Sequence, residues 1–199
     1  MTTKNFLVAG VGGQGTLLAS DILAEVGMRA GYDAKKSDVL GLAIRGGSVL
    51  SHVRWGKAIF SPVVQAGEID YLLAFEPLEA LRGVPLLRPT SVIVCNNQEV
   101  VPISVSSGDA VYPSRETITR TLASASRAVH FLDATPEAVR IGNARVANVI
   151  LLGAFSALLD VELGIWEAVV LERVPEKHRS INRTAFRAGR GLIQKGGSV

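Results

Sequence analysis

Asn5-Phe6-Leu7-Val8-Ala9-Gly10-Val11-Gly12-Gly13-Gln14-Gly15 is the stretch that decides the fold. Its first half is a short apolar run of the kind that forms a buried strand. Its second half is a glycine loop of the form G-x-G-x-x-G, at Gly10, Gly12 and Gly15. Leu18, Ile22 and Val26 then recur at helical spacing as far as Gly31. Strand, glycine turn and helix in that order make the first half of a βαβ unit.

Working outward, Asp33 to Val39 reads as a second, weaker strand, and Ser48 to Arg54 alternates in strand fashion. Trp55-Gly56-Lys57 reads as a turn, with Ala58 to Val64 returning as a hairpin partner. Tyr71 to Phe75, Ser91 to Cys95 and His130 to Leu132 are compact apolar runs expected to be central strands. From Thr135 onward the pattern turns helical, with Thr135 as cap and Pro136 in the first turn. Helices are expected over Arg145–Leu159, Ile165–Val174 and Ile181–Ile193. The fold class is therefore α/β: a three-layer Rossmann-like domain with an inserted β-hairpin and a helical C-terminus.

Bulk properties narrow the function. The chain has 199 residues, 48% of them hydrophobic and 20% charged, which suits one domain with a full core. A mean hydropathy of +0.30 points to more apolar surface than a free monomer carries, hence a permanent partner. The longest apolar run, Val149 to Leu159, is shorter than the roughly 20 residues of a membrane span. Phe6 to Val11 lacks a strong basic flank and reads as a strand rather than a signal peptide, so a cytoplasmic location is expected. Net charge is +3, with Arg173, Lys177, Arg179, Arg183, Arg187, Arg190 and Lys195 gathered late. No interleaved aromatic set accompanies them, so a solvated or partner-facing helix is expected rather than a nucleic-acid site.

The single cysteine, Cys95, cannot supply the thiolates of an iron–sulfur cluster, and His52, His130 and His178 lie on separate expected elements. Gly108-Asp109 is followed by Ala110, which breaks the Gly-Asp-Gly start of a thiamin diphosphate motif. A dinucleotide would need an acid at the end of the second strand. Asp33 lies near that distance but at the head of the strand, and Asp38 comes too late. The loop thus suits a dinucleotide, another phosphate ligand, or merely tight strand–helix packing. Arg45-Gly46-Gly47 is either a plain bend or a constrained loop presenting Arg45 to a carboxylate or phosphate. Glu76, Glu79 and Arg82 read as a surface ion network on a short helix, and His52 as a satisfied structural histidine. No catalytic constellation emerges.

These pieces together resemble the gamma-type domain family of pyruvate and related 2-oxoacid:ferredoxin oxidoreductases. The glycine loop carries that resemblance, as do Ser37 through Val49, Ser51-His52-Val53-Arg54, Ser61-Pro62 and Ile69-Asp70-Tyr71. Phe75 through Arg82, Asn148-Val149-Ile150-Leu151-Leu152-Gly153 and Asn182 to Gly189 extend it over nearly the whole chain. It looks closest to the small, beta-subunit branch that serves indolepyruvate. The resemblance implies one gamma-type domain over residues 1–199, mainly helical over 135–199. It implies a large catalytic partner subunit carrying thiamin diphosphate and iron–sulfur clusters, CoA as co-substrate, and ferredoxin as electron acceptor. The paired enzyme would belong to aromatic amino acid catabolism, and this chain alone would bind no cofactor and be inactive, or pair as a homodimer. Where the family pattern has a histidine and a glutamine, this chain has Leu40 and Ile44, which bears on the substrate. Loop chemistry at the C-terminal edge of the sheet nominates Gly10, Gly12, Gly13, Gln14, Gly15, Arg45, Gly46 and Gly47 as ligand-facing. Two other readings remain: a stand-alone NAD- or FAD-binding protein, and a non-catalytic structural homologue.

Overall fold

The structure, a computed structural model, describes residues 2–41 and 46–195. Strand β1 (Lys4–Val11) leads through the glycine loop into helix α1 (Thr16–Arg29). Strands β2 (Asp33–Leu40), β3 (Ser48–Gly56) and β4 (Ile69–Ala74) follow, then α2 (Pro77–Gly83) and β5 (Leu87–Asn96). After the short α3 (Ile103–Ser106) come α4 (Arg115–Ala125) and β6 (Ala128–Leu132). The described chain then continues helically through α5 (Ala134–Ile141), α6 (Ala147–Ser156), α7 (Leu163–Glu172) and α8 (Arg179–Lys195).

Six strands form one sheet in the order β2-β3-β1-β4-β5-β6. β1, β4, β5 and β6 are parallel, whereas β3 runs antiparallel to β1 and β2 antiparallel to β3. Alternation along β1 sends Phe6 and Val8 to a core beneath α1, α6, α7 and α8, while Leu7 and Ala9 face a second core beneath α2 and α4. That is the three-layer arrangement expected.

The hairpin differs from the expected one. β3 pairs along its full length with β2 on one side and β1 on the other, so the hairpin lies within the sheet. Trp55 is not a turn residue: it is fully buried and its Nε1 donates to the Leu23 carbonyl at 3.1 Å. Gly27 of α1 makes room for the ring, since a Cβ there would stand 2.6 Å from two of its carbons. Ala58 to Val64 is irregular, with Phe60 97% exposed. Side chains hold it instead of a ladder: Ile59 N–H donates to Asp33, and the Arg54 guanidinium donates to the Ser61 and Val63 carbonyls. Pro62, which has no N–H, suits that role better than a strand. Helix α5 also starts earlier than expected, with Asp133 at the cap position and Thr135 inside the first turn.

The helical layer is locked by glycine. α6 is apolar nearly all round and crosses α8 where Gly153 and Gly189 face each other's backbones. A Cβ on Gly189 would overlap the Ile150 carbonyl, and one on Gly153 would overlap the Phe186 carbonyl.

Candidate functional site

The glycine loop sits at the C-terminal end of β1, where the sheet order turns from β3 on one side to β4 on the other. Such a switch point leaves a crevice at the strand ends. Gly13 and Gly15 have φ of 105° and 86°, the left-handed region that glycine reaches without strain. Gly12 is fully engaged by the chain itself: its N–H donates to the Gly47 carbonyl at 2.8 Å, and its carbonyl accepts from Gly46 N–H at 3.3 Å. The β1–β3 ladder therefore runs one pair further than the strands, and the second glycine's amide is not free for a phosphate.

Gln14 is folded inward. Its Oε1 accepts from Val11 N–H at 2.8 Å and its Nε2 donates to the Phe75 carbonyl at 3.3 Å. A side-chain amide thus bridges β1 and β4 just where their backbones part. Gly10 is pressed against its neighbours, for a Cβ would lie 2.5 Å from Thr16 Oγ1. That hydroxyl is buried without a hydrogen-bond partner among the described residues. Gly15 meets α6 in the same way, with Asn148 Nδ2 2.5 Å from the place of its missing Cβ. Gly13 and Gly46 have open space around them. Arg45 lies outside the described residues, as does Ile44. The structure thus gathers Gly10, Gly12, Gly13, Gln14, Gly15, Gly46 and Gly47 at one sheet edge, in three different roles: packing, ladder extension and open surface.

Two clefts flank the loop. One, of about 410 Å³, is lined mostly by apolar groups, including Val11, Leu17, Val49 and the exposed Leu40. The other, of about 390 Å³, lies between the loop, the ends of β4 and β5 and the start of α6. Its floor is Phe75 and Leu151, and its polar walls are Gln14, Asn96, Gln98, Asn148 and Arg145. The amides form a directed chain. Asn96 Oδ1 accepts from Ala134 N–H, so its Nδ2 donates to Thr135 Oγ1, which donates to Gln98 Oε1. Asn148 Oδ1 accepts from Val149 N–H at 2.8 Å.

The Glu76, Glu79 and Arg82 set is not a surface network. Glu76 is fully buried and Glu79 nearly so. Glu76 caps α2 through Glu79 N–H and accepts from Val100 N–H and the Tyr112 hydroxyl, tying down both ends of the segment that carries α3. Burial pushes the Glu79 carboxyl above its ordinary range, against the bonds from Ser48 Oγ and Arg82 that hold it charged. Burial and the Glu76 carboxylate likewise push the Tyr112 hydroxyl up. His52 is the satisfied structural histidine expected: buried, its Nδ1 accepts from Val64 N–H at 3.3 Å, and desolvation holds it below the usual imidazole range. Of the late basic residues, Arg173 pairs with Glu25, Arg187 with Glu167, and Arg190 donates to Ser156.

Neither redox group fits these residues. Cys95 is buried, its thiol pushed well up by desolvation, and no cluster of three metal-ligating side chains occurs among the described residues. Asp109 sits in an exposed turn accepting from Ser107. Nor is the acid near the end of β2 free for a ribose: Asp38 is bound to Lys36 and Ser51, and Asp33, at the start of the strand, to Lys35 and Ile59 N–H. No helix among the described residues is long and apolar enough to cross a membrane.

A family model described as pyruvate ferredoxin/flavodoxin oxidoreductase matches residues 5–192. The chain is 34% identical over 192 residues to the indolepyruvate oxidoreductase subunit IorB of Pyrococcus horikoshii, covering 95% of each chain. It is 34% identical over 187 residues to the subunit of the same name in Archaeoglobus fulgidus, covering 93% of this chain and 92% of that one. Among solved structures, the gamma subunit of a keto/oxoacid ferredoxin oxidoreductase from Geobacter sulfurreducens is similar, with a TM-score of 0.72 and 26% identity. That match covers 97% of this chain and 99% of the other. The fold alone is shared with 2-oxoglutarate:ferredoxin oxidoreductase from Magnetococcus marinus, at a TM-score of 0.74 and 19% identity. There, the whole of this chain corresponds to 32% of a longer polypeptide.

Proposed function

The chain belongs to the pyruvate ferredoxin/flavodoxin oxidoreductase family, and from that premise we propose that it is the small subunit of a 2-oxoacid oxidoreductase acting on indolepyruvate or a related arylpyruvate. The observation that carries the reading is end-to-end identity of 34% with indolepyruvate oxidoreductase subunits. The complex would break the bond between the 2-oxoacid's carbonyl carbon and its carboxylate, releasing CO2. It would form a thioester between that carbonyl carbon and CoA, and pass two electrons to two ferredoxins. Thiamin diphosphate and the iron–sulfur clusters belong, in this reading, to the large subunit. The one buried thiol and the absence of a carboxylate cluster among the described residues support placing them there.

This chain's part is to complete the assembly. The described surface exposes Phe60 and Val111 almost fully and Ile103 for the most part, apolar groups that a partner would cover. Gly10, Gly12, Gly13, Gln14, Gly15, Gly46 and Gly47 form the edge we assign to the ligand side, with Gly13 and Gly46 as its open positions, and Arg45, outside the described residues, is assigned to it from the sequence alone. The engaged Gly12 amide and the already paired Asp38 carboxylate near the end of β2 speak against a stand-alone dinucleotide protein.

An anaerobic pull-down of the tagged chain from its native cells tests the proposal. A brown large subunit should co-elute and reduce a viologen dye when given indolepyruvate and CoA. A colourless chain eluting alone or as a homodimer, without dye reduction, would overturn it.

A further inference from the structure

We propose that β6 is an interface strand: two copies of this chain join edge to edge along Ala128–Leu132, antiparallel about a two-fold axis at His130. The inference goes beyond the assembly reading and does not depend on it.

The sheet has two edges, and they are built differently. β2 carries Asp33, Lys35, Lys36 and Asp38, with Lys36 tied to Asp21 of α1 and Asp33 to the Ile59 amide. Charged side chains along an edge keep other strands away. β6 reads Ala-Val-His-Phe-Leu, with no acid, lysine, arginine or proline, and keeps one register against β5. It pairs with β5 alone among the described strands. The Leu132 carbonyl accepts from Asn97 N–H on the β5 side, so by alternation the N–H and C=O groups of Val129 and Phe131 point outward. A row of outward donors and acceptors on an uncharged strand is a template for another strand.

The strand is its own complement. Antiparallel pairing centred on His130 sets Ala128 opposite the second copy's Leu132, small against large. It sets Val129 opposite the second copy's Phe131, a β-branched side chain against an aromatic one. These are the residues whose backbone groups face outward, so they exchange both ladder bonds with the copy. A two-fold axis is the usual symmetry of such a pair. The flanks match as well. Arg127 precedes the strand and Asp133 follows it, both exposed, so reversal brings each Arg127 beside the other copy's Asp133. The Arg127 guanidinium makes no ion pair or hydrogen bond among the described residues.

A groove of about 450 Å³ receives that guanidinium. It lies where β6 runs into α5, with Pro136 and Leu192 of α8 as apolar walls for the arginine methylenes. Its charged groups are Asp133, Glu137 and Arg140, and Arg140 already pairs with Glu137. Asp133 accepts from the neutral Asn97 amide, so its charge is uncompensated within the groove. One spare carboxylate suits one incoming guanidinium. Val139, exposed one turn on from Pro136, gives that side of α5 further apolar area to cover.

Cysteine placement tests the register in the purified full chain. His130 is its own opposite across the axis, and a pair that does not exchange backbone bonds brings its Cα atoms to about 4.5 Å, within disulfide reach. His130→Cys should run mostly as a reducible dimer on a non-reducing gel. Ala128→Cys should not, because the two copies of that position would lie roughly 13 Å apart along the strands. The native thiol, Cys95, is buried and does not compete. Charge exchange tests the flanks by sedimentation velocity. Arg127→Glu should weaken dimerisation tenfold or more, and adding Asp133→Arg should recover most of it, since each contact is then a pair with its signs reversed. The inference is overturned if the wild-type chain sediments as a monomer at micromolar concentration, the result expected if a strand of the large subunit covers β6 instead. Equal cross-linking of the two cysteine variants, or no recovery in the double exchange, overturns it too. A dimer that also carries down a large subunit upholds both readings; a dimer without one upholds this inference and removes the assembly reading.

Discussion

Replacing Gly189 by alanine should destabilise this protein more than its single added methyl suggests. Gly189 lies where α8 crosses α6, and the new Cβ would fall inside the Ile150 carbonyl oxygen, 2.7 Å from its carbon and 3.0 Å from Ala154 N. Both neighbours are helix backbone, so no side chain can swing aside. Relief requires the helices to part by roughly 1 Å or more, which loosens dispersion contacts along the whole seam. α6 has eight buried residues from Val149 to Ser156, so the loss is not confined to one contact. Overpacking of this kind costs about 3 kcal/mol, the upper end of its usual range. For a chain of this size that corresponds to a fall in Tm of about 6–12 °C. Gly153→Ala should act similarly against Phe186, and the double variant should lose less than the two separate losses combined, because helices already parted accommodate the second methyl. Gly164→Ala, in the exposed first turn of α7 with open space around it, serves as the control and should gain up to about 1 kcal/mol from helix propensity. Urea unfolding followed by circular dichroism reads all four. If Gly189→Ala unfolds within 1 kcal/mol of the wild type, the account of a backbone-to-backbone crossing is wrong.

Gly15→Ala combines a φ of 86° with a clash against Asn148, so it should cost about 2 kcal/mol, and Asn148→Ala in the same chain should recover part of that in a double-mutant cycle. Tyr112→Phe removes one of the bonds to the buried Glu76 carboxylate and should cost about 1.5–3 kcal/mol; unaltered hydrogen exchange at Val100 would contradict the stapling role. His52 is held below its ordinary pKa of 6.5 by burial, so the unfolded chain takes up its proton first as pH falls. Stability should therefore decline from pH 6.5 downward towards the folded-state value, with no contribution from this group above that window. His52→Asn, which can still accept from Val64 N–H, should flatten that decline, and equal slopes in both proteins would count against it.

Much of the architecture was legible because periodicity reports burial. β1, α1, β4, β5, β6 and the late helices fall where their apolar patterns place them, since each buries a face against the sheet or a neighbouring helix. Helix α4 has only Ile118 and Leu122 buried and was not expected, although Ser114 caps it by accepting from Thr117 N–H. The hairpin partner was misplaced because β2, an edge strand, alternates weakly, while Ala58 and Ile59 beside Val63 and Val64 mimic a strand.

For the site, local sequence determined the glycine loop and its place at a strand-to-helix turn, because φ near 100° and a missing Cβ are properties of single residues. Composition determined that one cysteine cannot hold a cluster. The tertiary structure decided which loop atoms are free. Gly12 and Gln14 look like ligand groups in the sequence, yet the chain takes their bonds, through partners at Gly46, Gly47 and Phe75. It also decided that Glu76 and Glu79 are buried and that Arg145 and Asn148 stand across from Gly13 and Gly15. No spacing rule could have joined residues more than a hundred positions apart. What a side chain is free to bind depends on which of its hydrogen-bonding atoms the fold has already used.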